Sequence, residues 1–528
     1  MGMMLKPSKC RSFSLKGGRP SKEVFKINEH PVPSIADEEQ KFLGRVIFYT
    51  GKSAECFELL KDNIIKRLEN LEKTAIRSEF KLEIYKIYIL PSIRFLLTVH
   101  DLPISLLSRL DTMADQYLKK WAGLPKCATN AILHLNTALD IQKISTLYKE
   151  VHATSHCSTR LKGDSGVNLA IDNRLVRESQ LVRKQSITVQ SEEIYQRAFG
   201  RNTVQGEIPG CTPENEQGGQ SLDNSLNPTS DGTQIPTTEI IKPSSEFISG
   251  VKQEAKSLVS VEDSGKMLEH VQNLVKQGKF LELSQCEQND ATWKGYIYNL
   301  PKGTMKWLLN ASIDTLPTKV NLKLWGKVSN DKCFCGQKQT LNHILNCCTL
   351  SLNQGRYTYR HDSILNYILS CLDSIKFTCY VDVPGHQTQD GGTIPPDIMV
   401  TTLKPDLVII DKQRKSLNIF ELTVPGETRI SIAHNIKLQK YQHFCTDINS
   451  YKVSVIPFEI GSHTGYITRE NKESLKTLHK FCKRELKFKS FKNSISVITV
   501  LGSYFLFNNR NIETWQTPSN FIYVPMIN

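Results

Sequence analysis

Two carboxylates, Asp406 and Glu421, bracket a segment whose pattern reads as a β-hairpin. Leu407 to Ile410 is an unbroken apolar run, Asp411 to Ser416 is polar and charged, and Leu417 to Val424 is a second apolar-rich run closed by Pro425-Gly426. A turn centred between Gln413 and Arg414 sets position 411 opposite 416 and, counting outward, 406 opposite 421. Directly opposed side chains have Cβ atoms about 4.5–5.5 Å apart, and like charges so placed destabilise unless positive charge lies between them. A hard divalent cation with oxygen ligands supplies that charge, so Asp406 and Glu421 are predicted to hold Mg²⁺ or Mn²⁺. Both runs are apolar on both faces, as in central strands covered on each side. The same spacing also fits an edge hairpin with exposed acids.

Metal-dependent phosphodiester hydrolysis needs, besides oxygen ligands, a cationic group for the charge that develops on the phosphoryl oxygens. Two residues past Glu421 on the same strand face stands Thr423, which cannot do the work of an ammonium. The helical segment that follows offers Lys437 and Lys440, with 437 and 441 one turn apart and 440 adjacent. Asp397 after Pro396 is a competing acid, but no strand-like run follows it.

A second constellation is Cys333-Phe-Cys335, then His343, then Cys347-Cys348. Four such ligands can wrap one Zn²⁺ tetrahedrally, and Gly336 permits the tight turn between them. Cys347 lies at i+4 from His343 and Cys348 at i+5, so spacing leaves open which cysteine closes the site. Buried free thiols are the competing reading. A third group, Arg360-His361-Asp362, opens a helix-like stretch; Asp362 there fits a helix N-terminus better than a metal ligand.

These groups need elements to position them. Residues 54–74 place Phe57, Leu60, Ile64, Leu68 and Leu71 on one helical face, and Leu106, Leu110, Met113, Tyr117 and Trp121 repeat the pattern, so the first 160 residues read as largely helical. Thr203 to Ile241 lacks any Lys or Arg and is rich in Gly, Pro, Ser, Thr, Asn and Gln, the composition of a disordered linker. Tyr451 to Ile460 alternates like a strand. Lys472 to Lys492 holds eight Lys/Arg against two Glu, with Leu475, Leu478, Cys482 and Leu486 as one helical stripe; it reads as a solvated helix face or a face that tracks DNA.

A length of 528 residues implies several domains, and the net charge of +14 favours a polyanionic partner, most simply nucleic acid. The longest apolar runs are short and broken by Pro91 and Arg94, which excludes a membrane span. Fourteen cysteines, mostly scattered, with no export signal at the N-terminus, fit reduced thiols inside a cell.

The order of a helical segment, a Cys-Cys-His-Cys knuckle, Lys404-Pro405-Asp406, Glu421-Leu-Thr-Val-Pro425 and Lys437-x-x-Lys440-Tyr441 resembles the C-terminal half of non-LTR retrotransposon polyproteins that carry a restriction-like endonuclease. The resemblance implies an α+β multidomain chain. Its front part, 1–160, would be the end of a reverse-transcriptase palm, from Lys9-Cys10-Arg11-Ser12 and Phe42-Leu43-Gly44, followed by thumb-like helices through Ala122-Gly-Leu-Pro125. Residues 161–255 would be linker, disordered at about 203–250, and 256–350 a helical segment with the zinc knuckle. Residues 351–528 would be an α/β domain of the PD-(D/E)XK fold with a mixed central sheet. The resemblance further implies Asp406 and Glu421 as catalytic carboxylates, Lys437 or Lys440 as a lysine displaced from strand to helix, and Cys333, Cys335, His343 and Cys348 as zinc ligands. DNA is the implied target, with retroelement RNA as a further partner, in the nucleus; the oligomeric state stays open. The polymerase motif Tyr-x-Asp-Asp is absent, so that active site is expected upstream and the chain is not expected to polymerise. A nucleic-acid-binding remnant without catalysis is the rival expectation.

Overall fold

The β-branched run after Asp406 and its partner after the 411–416 turn form the centre of a four-stranded mixed sheet. Its strands are β1 (Thr378–Val381), β2 (Leu407–Asp411), β3 (Ser416–Thr423) and β4 (Lys452–Glu459), in the order β4-β3-β2-β1. The computed structural model describes residues 10–16, 19–21, 23–35, 40–42, 45–47, 53–180, 186–205, 243–279, 296–301, 303–441 and 451–522. β1 and β3 each run antiparallel to β2, whereas β4 runs parallel to β3. A parallel return needs a crossover, and the helix α2 (Ile430–Lys440) lies in it.

Asp411 pairs with Ser416 and Leu407 with Phe420, so continuing the ladder one step outward brings 406 opposite 421. All of β2 and the middle of β3 are buried, as strands covered on both faces must be. Val408, Ile410, Leu417 and Ile419 pack on one face with Ile394, Ile398 and Tyr441. On the other face Phe420 meets Phe481 with ring centroids 6.1 Å apart. Alternation along β3 puts Glu421 on the Tyr441 face.

Three further helices frame this sheet: α1 (Arg356–Cys371), α3 (Arg469–His479) and α4 (Phe488–Asn508). The basic run 472–492 is therefore not one helix. It breaks after His479 because Phe481 O accepts from Asp373 N at 3.0 Å and Lys483 N donates to Cys371 O at 3.0 Å, tying the chain to the end of α1. Leu475, Leu478, Cys482 and Leu486 are buried nonetheless. Phe491 is buried too, and Phe481 packs half-buried against Phe377. These aromatics face inward, so they offer no stacking surface for DNA.

Ahead of the sheet, residues 10–47 form short antiparallel pairs (Ser14–Lys16 with Arg19–Ser21, Phe25–Ile27 with His30–Val32, Gln40–Phe42 with Arg45–Ile47) where a helical start is expected from the sequence. Ser53–Lys73 is the expected helix and buries Phe57, Leu60, Ile64, Leu68 and Leu71. In Ile104–Ala122 the buried stripe is Leu107, Leu110, Ala114, Leu118 and Trp121; Leu106, Met113 and Tyr117 are half-buried, one position off the expected face.

The stretch expected as linker, 161–255, is partly folded: Ser165–Gln180 and Ile187–Gln205 are helices, Ser245–Gln272 starts inside it and runs on into the segment expected to be helical, and Ile194, Ala198, Val251, Ala255 and Leu258 close a core with Ala153, Cys157 and Leu161. The remainder of the expected disordered segment, 206–242, lies outside the described residues. Two compact units result, one of residues 1–70, 86–114 and 142–265, the other of 71–85, 115–141 and 266–528. Among the described residues no helix is long and apolar enough to cross a membrane.

The turn into α2 is fixed by a buried carboxylate. Glu427 accepts from His463 N at 2.9 Å, Thr464 N at 2.8 Å and Thr464 Oγ1 at 3.1 Å, and its second oxygen faces His463 Nδ1 at 3.0 Å. Burial pushes its pKa up, but His463 and these donors outweigh burial and hold it below the ordinary value; burial pushes the pKa of His463 down, but Glu427 outweighs it and raises it. Stability from the lowered acid is lost as pH falls through its folded pKa. Stability from the raised histidine is lost as pH rises from about 6.5 through its folded pKa. Glu427→Ala strands the imidazolium, so chemical denaturation should show a loss of about 3–5 kcal/mol near pH 6.

Candidate active site and metal centre

Asp406 and Glu421 are laced across the hairpin mouth. Asp406 Oδ2 accepts from Leu422 N at 2.8 Å, and Glu421 Oε1 lies 3.3 Å from Asp406 N. Glu421 is 1% exposed and Asp406 14%, which removes the edge-hairpin alternative of two wet acids. Burial and then Asp406 raise the pKa of Glu421, against the pull of Lys437. Asp406 moves the other way: burial would raise it, but His361, Lys437 and the Leu422 N–H hold it below the ordinary value.

The amine comes from α2. Lys437 Nζ donates to Glu421 Oε2, and Tyr441, one turn on and fully buried, shares a hydrogen bond with Glu421. Lys440 stands one hydrogen bond further out, donating to the Tyr441 hydroxyl at 2.8 Å. Of the two lysines, the fold brings Lys437 to the acids. Thr423 keeps a buried hydroxyl with no hydrogen-bond partner among the described residues. Asp397 is exposed.

Sequence reasoning misplaces one group. Helix α1 starts at Arg356 behind Gly355, whose φ of +71° suits glycine, so Arg360-His361-Asp362 sits in its second turn and not at its N-terminus. His361 Nε2 lies 3.4 Å from Asp406 Oδ2 while Nδ1 faces Asp362 Oδ1 at 3.1 Å. Burial works against the imidazolium, but the two aspartates outweigh it and raise the pKa to about 9. Beside it, Arg360 is buried, donating to Ser503 Oγ at 3.0 Å and to Val424 O at 3.2 Å. His434 and Glu459 form a further pair at 3.0 Å, which the spacing of one strand and one helix gives no means to foresee.

The knuckle is the second centre. Cys333, Cys335, His343 and Cys348 bring their ligand atoms within 4.8 Å of one another, and among the described residues this is where three or more metal-binding side chains converge. Cys333 Sγ and Cys348 Sγ are 3.8 Å apart, matching the edge of about 3.8 Å for a tetrahedron with zinc–sulfur bonds of about 2.3 Å. Cys335 Sγ lies 3.2 Å from His343 Nε2, and burial lowers the pKa of His343, favouring the neutral ring a metal needs. The cluster could bind a zinc ion.

The choice between Cys347 and Cys348 is made by backbone form. His343–Cys347 is a π turn, which takes one residue more than an α turn to come round, so i+5 arrives where i+4 otherwise would. Cys348 is buried in the cluster and Cys347 exposed. The Tyr357 hydroxyl pins this turn, accepting from Cys348 N at 2.9 Å and donating to Ile344 O at 3.1 Å. Gly336, at φ +85°, makes the turn between the first two ligands and the rest of the site.

The two centres are mechanically joined. Asn346, inside the π turn, has its amide 2.8 Å from Ser462 Oγ, and a Cβ on Gly426 would come within 2.6 Å of Asn342 Oδ1. The knuckle therefore packs on the segment that leads from β3 into α2.

No protein-family model and no curated protein matches the chain. What the site can do rests on its own chemistry: two carboxylates and an amine brought together, and a separate sulfur-rich centre.

Proposed function

We propose that the C-terminal region is a divalent-cation-dependent DNA endonuclease of the restriction-like kind carried by non-LTR retrotransposons. It would nick target DNA in the nucleus so that the freed 3′ hydroxyl primes reverse transcription. The observation that carries this reading is the convergence of Asp406, Glu421 and Lys437 from the ends of the two central strands and the following helix. A mixed sheet among helices, with its acids on the central hairpin and the lysine displaced to α2, suits the PD-(D/E)XK arrangement that the sequence resemblance implies.

Two carboxylates fit Mg²⁺, which commonly binds through one or two acids and keeps several waters. When bound, the cation supplies Lewis-acid polarisation of the phosphate and a more acidic water. The residues do the rest. Asp406 and Glu421 would hold the cation, with His361 fixing the Asp406 carboxylate, and the Lys437 ammonium, 22% exposed, would neutralise charge building on the phosphoryl oxygens.

Lys437→Met should lower the nicking rate by about 10²-fold, the cost of losing one donor to a developing oxyanion. Lys440→Met should leave it nearly unchanged, because that amine is spent on Tyr441. Plasmid relaxation by the two variants side by side checks this; equal rates would remove Lys437 from the site.

A further inference from the structure

The pair of His434 and Glu459 has no part in the acid and amine cluster, yet the fold sets it alongside. Glu459 ends β4 in register with Thr423, so it lies on the sheet face of Glu421, two residues or about 7 Å further along. His434 stands on α2 three residues before Lys437, and residues at that spacing are neighbours on one helix face. Two pairs therefore run side by side: Lys437 Nζ on Glu421 Oε2, and His434 Nδ1 on Glu459 Oε2 at 3.0 Å. Burial raises the pKa of Glu459, while His434 and, more weakly, Lys437 oppose it, so the ammonium acts on both acids.

A pair kept only for stability would be expected to satisfy both partners, and this one does not. Glu459 is fully buried, and its Oε1 has no hydrogen-bond partner among the described residues; the Thr423 hydroxyl on the neighbouring strand has none either. His434 is 23% exposed, and its Nε2 makes no hydrogen bond among the described residues. A carboxylate that takes the Nδ1 proton fixes the tautomer and leaves the Nε2 lone pair bare. We propose that His434 is the general base for the attacking water and Glu459 its positioning residue, an inference that rests on the nuclease reading. Water gives a proton to Nε2 as its oxygen bonds to phosphorus. The bond from phosphorus to the 3′ oxygen breaks, its electron pair goes to that oxygen, and the oxygen takes a proton from solvent. The imidazolium, held by Glu459, then returns its proton to solvent. Lys437 keeps the separate task of neutralising phosphoryl charge.

Two measurements on the full chain test this. Nitrogen NMR with isotope-labelled histidine and no added magnesium, at a pH above the titration of His434, should show its Nδ1 protonated and its Nε2 bare; Glu459→Gln should lose that fixed tautomer. The His434 signal is assigned by its loss in His434→Asn, whose amide still donates to Glu459 but cannot take a proton. In plasmid nicking with Mg²⁺, assayed below the melting transitions, His434→Asn should lower kcat by about 10²-fold with KM within about threefold of the parent. Glu459→Gln should lower kcat by about tenfold or more, because an amide accommodates the wrong tautomer. A parent that nicks beside a His434→Asn variant that nicks equally fast would overturn the general-base role and leave the nuclease reading standing. A proton on Nε2 in the parent would overturn the role as well. A parent that does not nick would overturn both.

Discussion

Removing zinc is expected to melt the C-terminal unit well below its holo temperature. A structural zinc site of this kind contributes on the order of 10 kcal/mol, because its ligands are preformed only in the folded state. The loss would not stay local. Without metal, the π turn His343–Cys347 is left beside two cysteines 3.8 Å apart, and it carries Asn342 and Asn346 onto Gly426 and Ser462. Those positions flank the path from Glu421 to Lys437. Cys348→Ser should therefore bind zinc substoichiometrically, unfold at a temperature lower by more than about 10 °C, and lose protection of the β3 amides to hydrogen exchange. Cys347→Ser should match the parent in all three measurements, since Cys347 is exposed and outside the cluster. Equal zinc stoichiometry in the two variants would contradict the ligand assignment.

The second large effect is on catalysis. Asp406→Asn keeps an oxygen for the Leu422 N–H but removes a charge from the proposed cation site. Losing about 4 kcal/mol of transition-state stabilisation corresponds to a fall of about 10³-fold in nicking rate. The same substitution relieves a like-charge contact with Glu421, whose pKa burial and Asp406 both raise. It also takes away a charge that holds the His361 imidazolium, and because the Asp406 carboxyl is held below its ordinary pKa, melting of the cation-free variant should fall modestly as well. Glu421→Gln should lose activity similarly, and it also strands the Lys437 ammonium, so some loss of stability accompanies it. Nicking at the parent rate by Asp406→Asn, assayed well below its melting transition, would remove that acid from catalysis.

Much of this site is legible in the amino-acid sequence, and the limits have physical causes. A polar turn between two apolar runs sets the register of the hairpin, because in a hairpin the turn and its length fix which residues pair. Extending that register brings 406 opposite 421. The zinc spacing leaves Cys347 and Cys348 open because the α and π turns that choose between them differ by one backbone residue, which composition does not record. His361 reads as part of a helix start because nothing local marks Gly355 as the true boundary; its contact with Asp406 spans 45 positions of chain. The basic run 472–492 reads as one helix since its apolar spacing is helical throughout, and only pairing with the end of α1 breaks it. The helix in 187–205 and the first part of the one in 245–272 read as linker because their apolar face is thin and is completed by Ala153, Cys157 and Leu161 from a distant segment.

Whether Asp406, Glu421 and Lys437 form a cation-dependent nicking site is measured most directly by incubating the purified chain with supercoiled plasmid in Mg²⁺, beside Asp406→Asn. The parent should yield open circles bearing 3′ hydroxyls that a polymerase extends, and the variant essentially none. Equal nicking by both proteins, or by neither, would contradict the assignment.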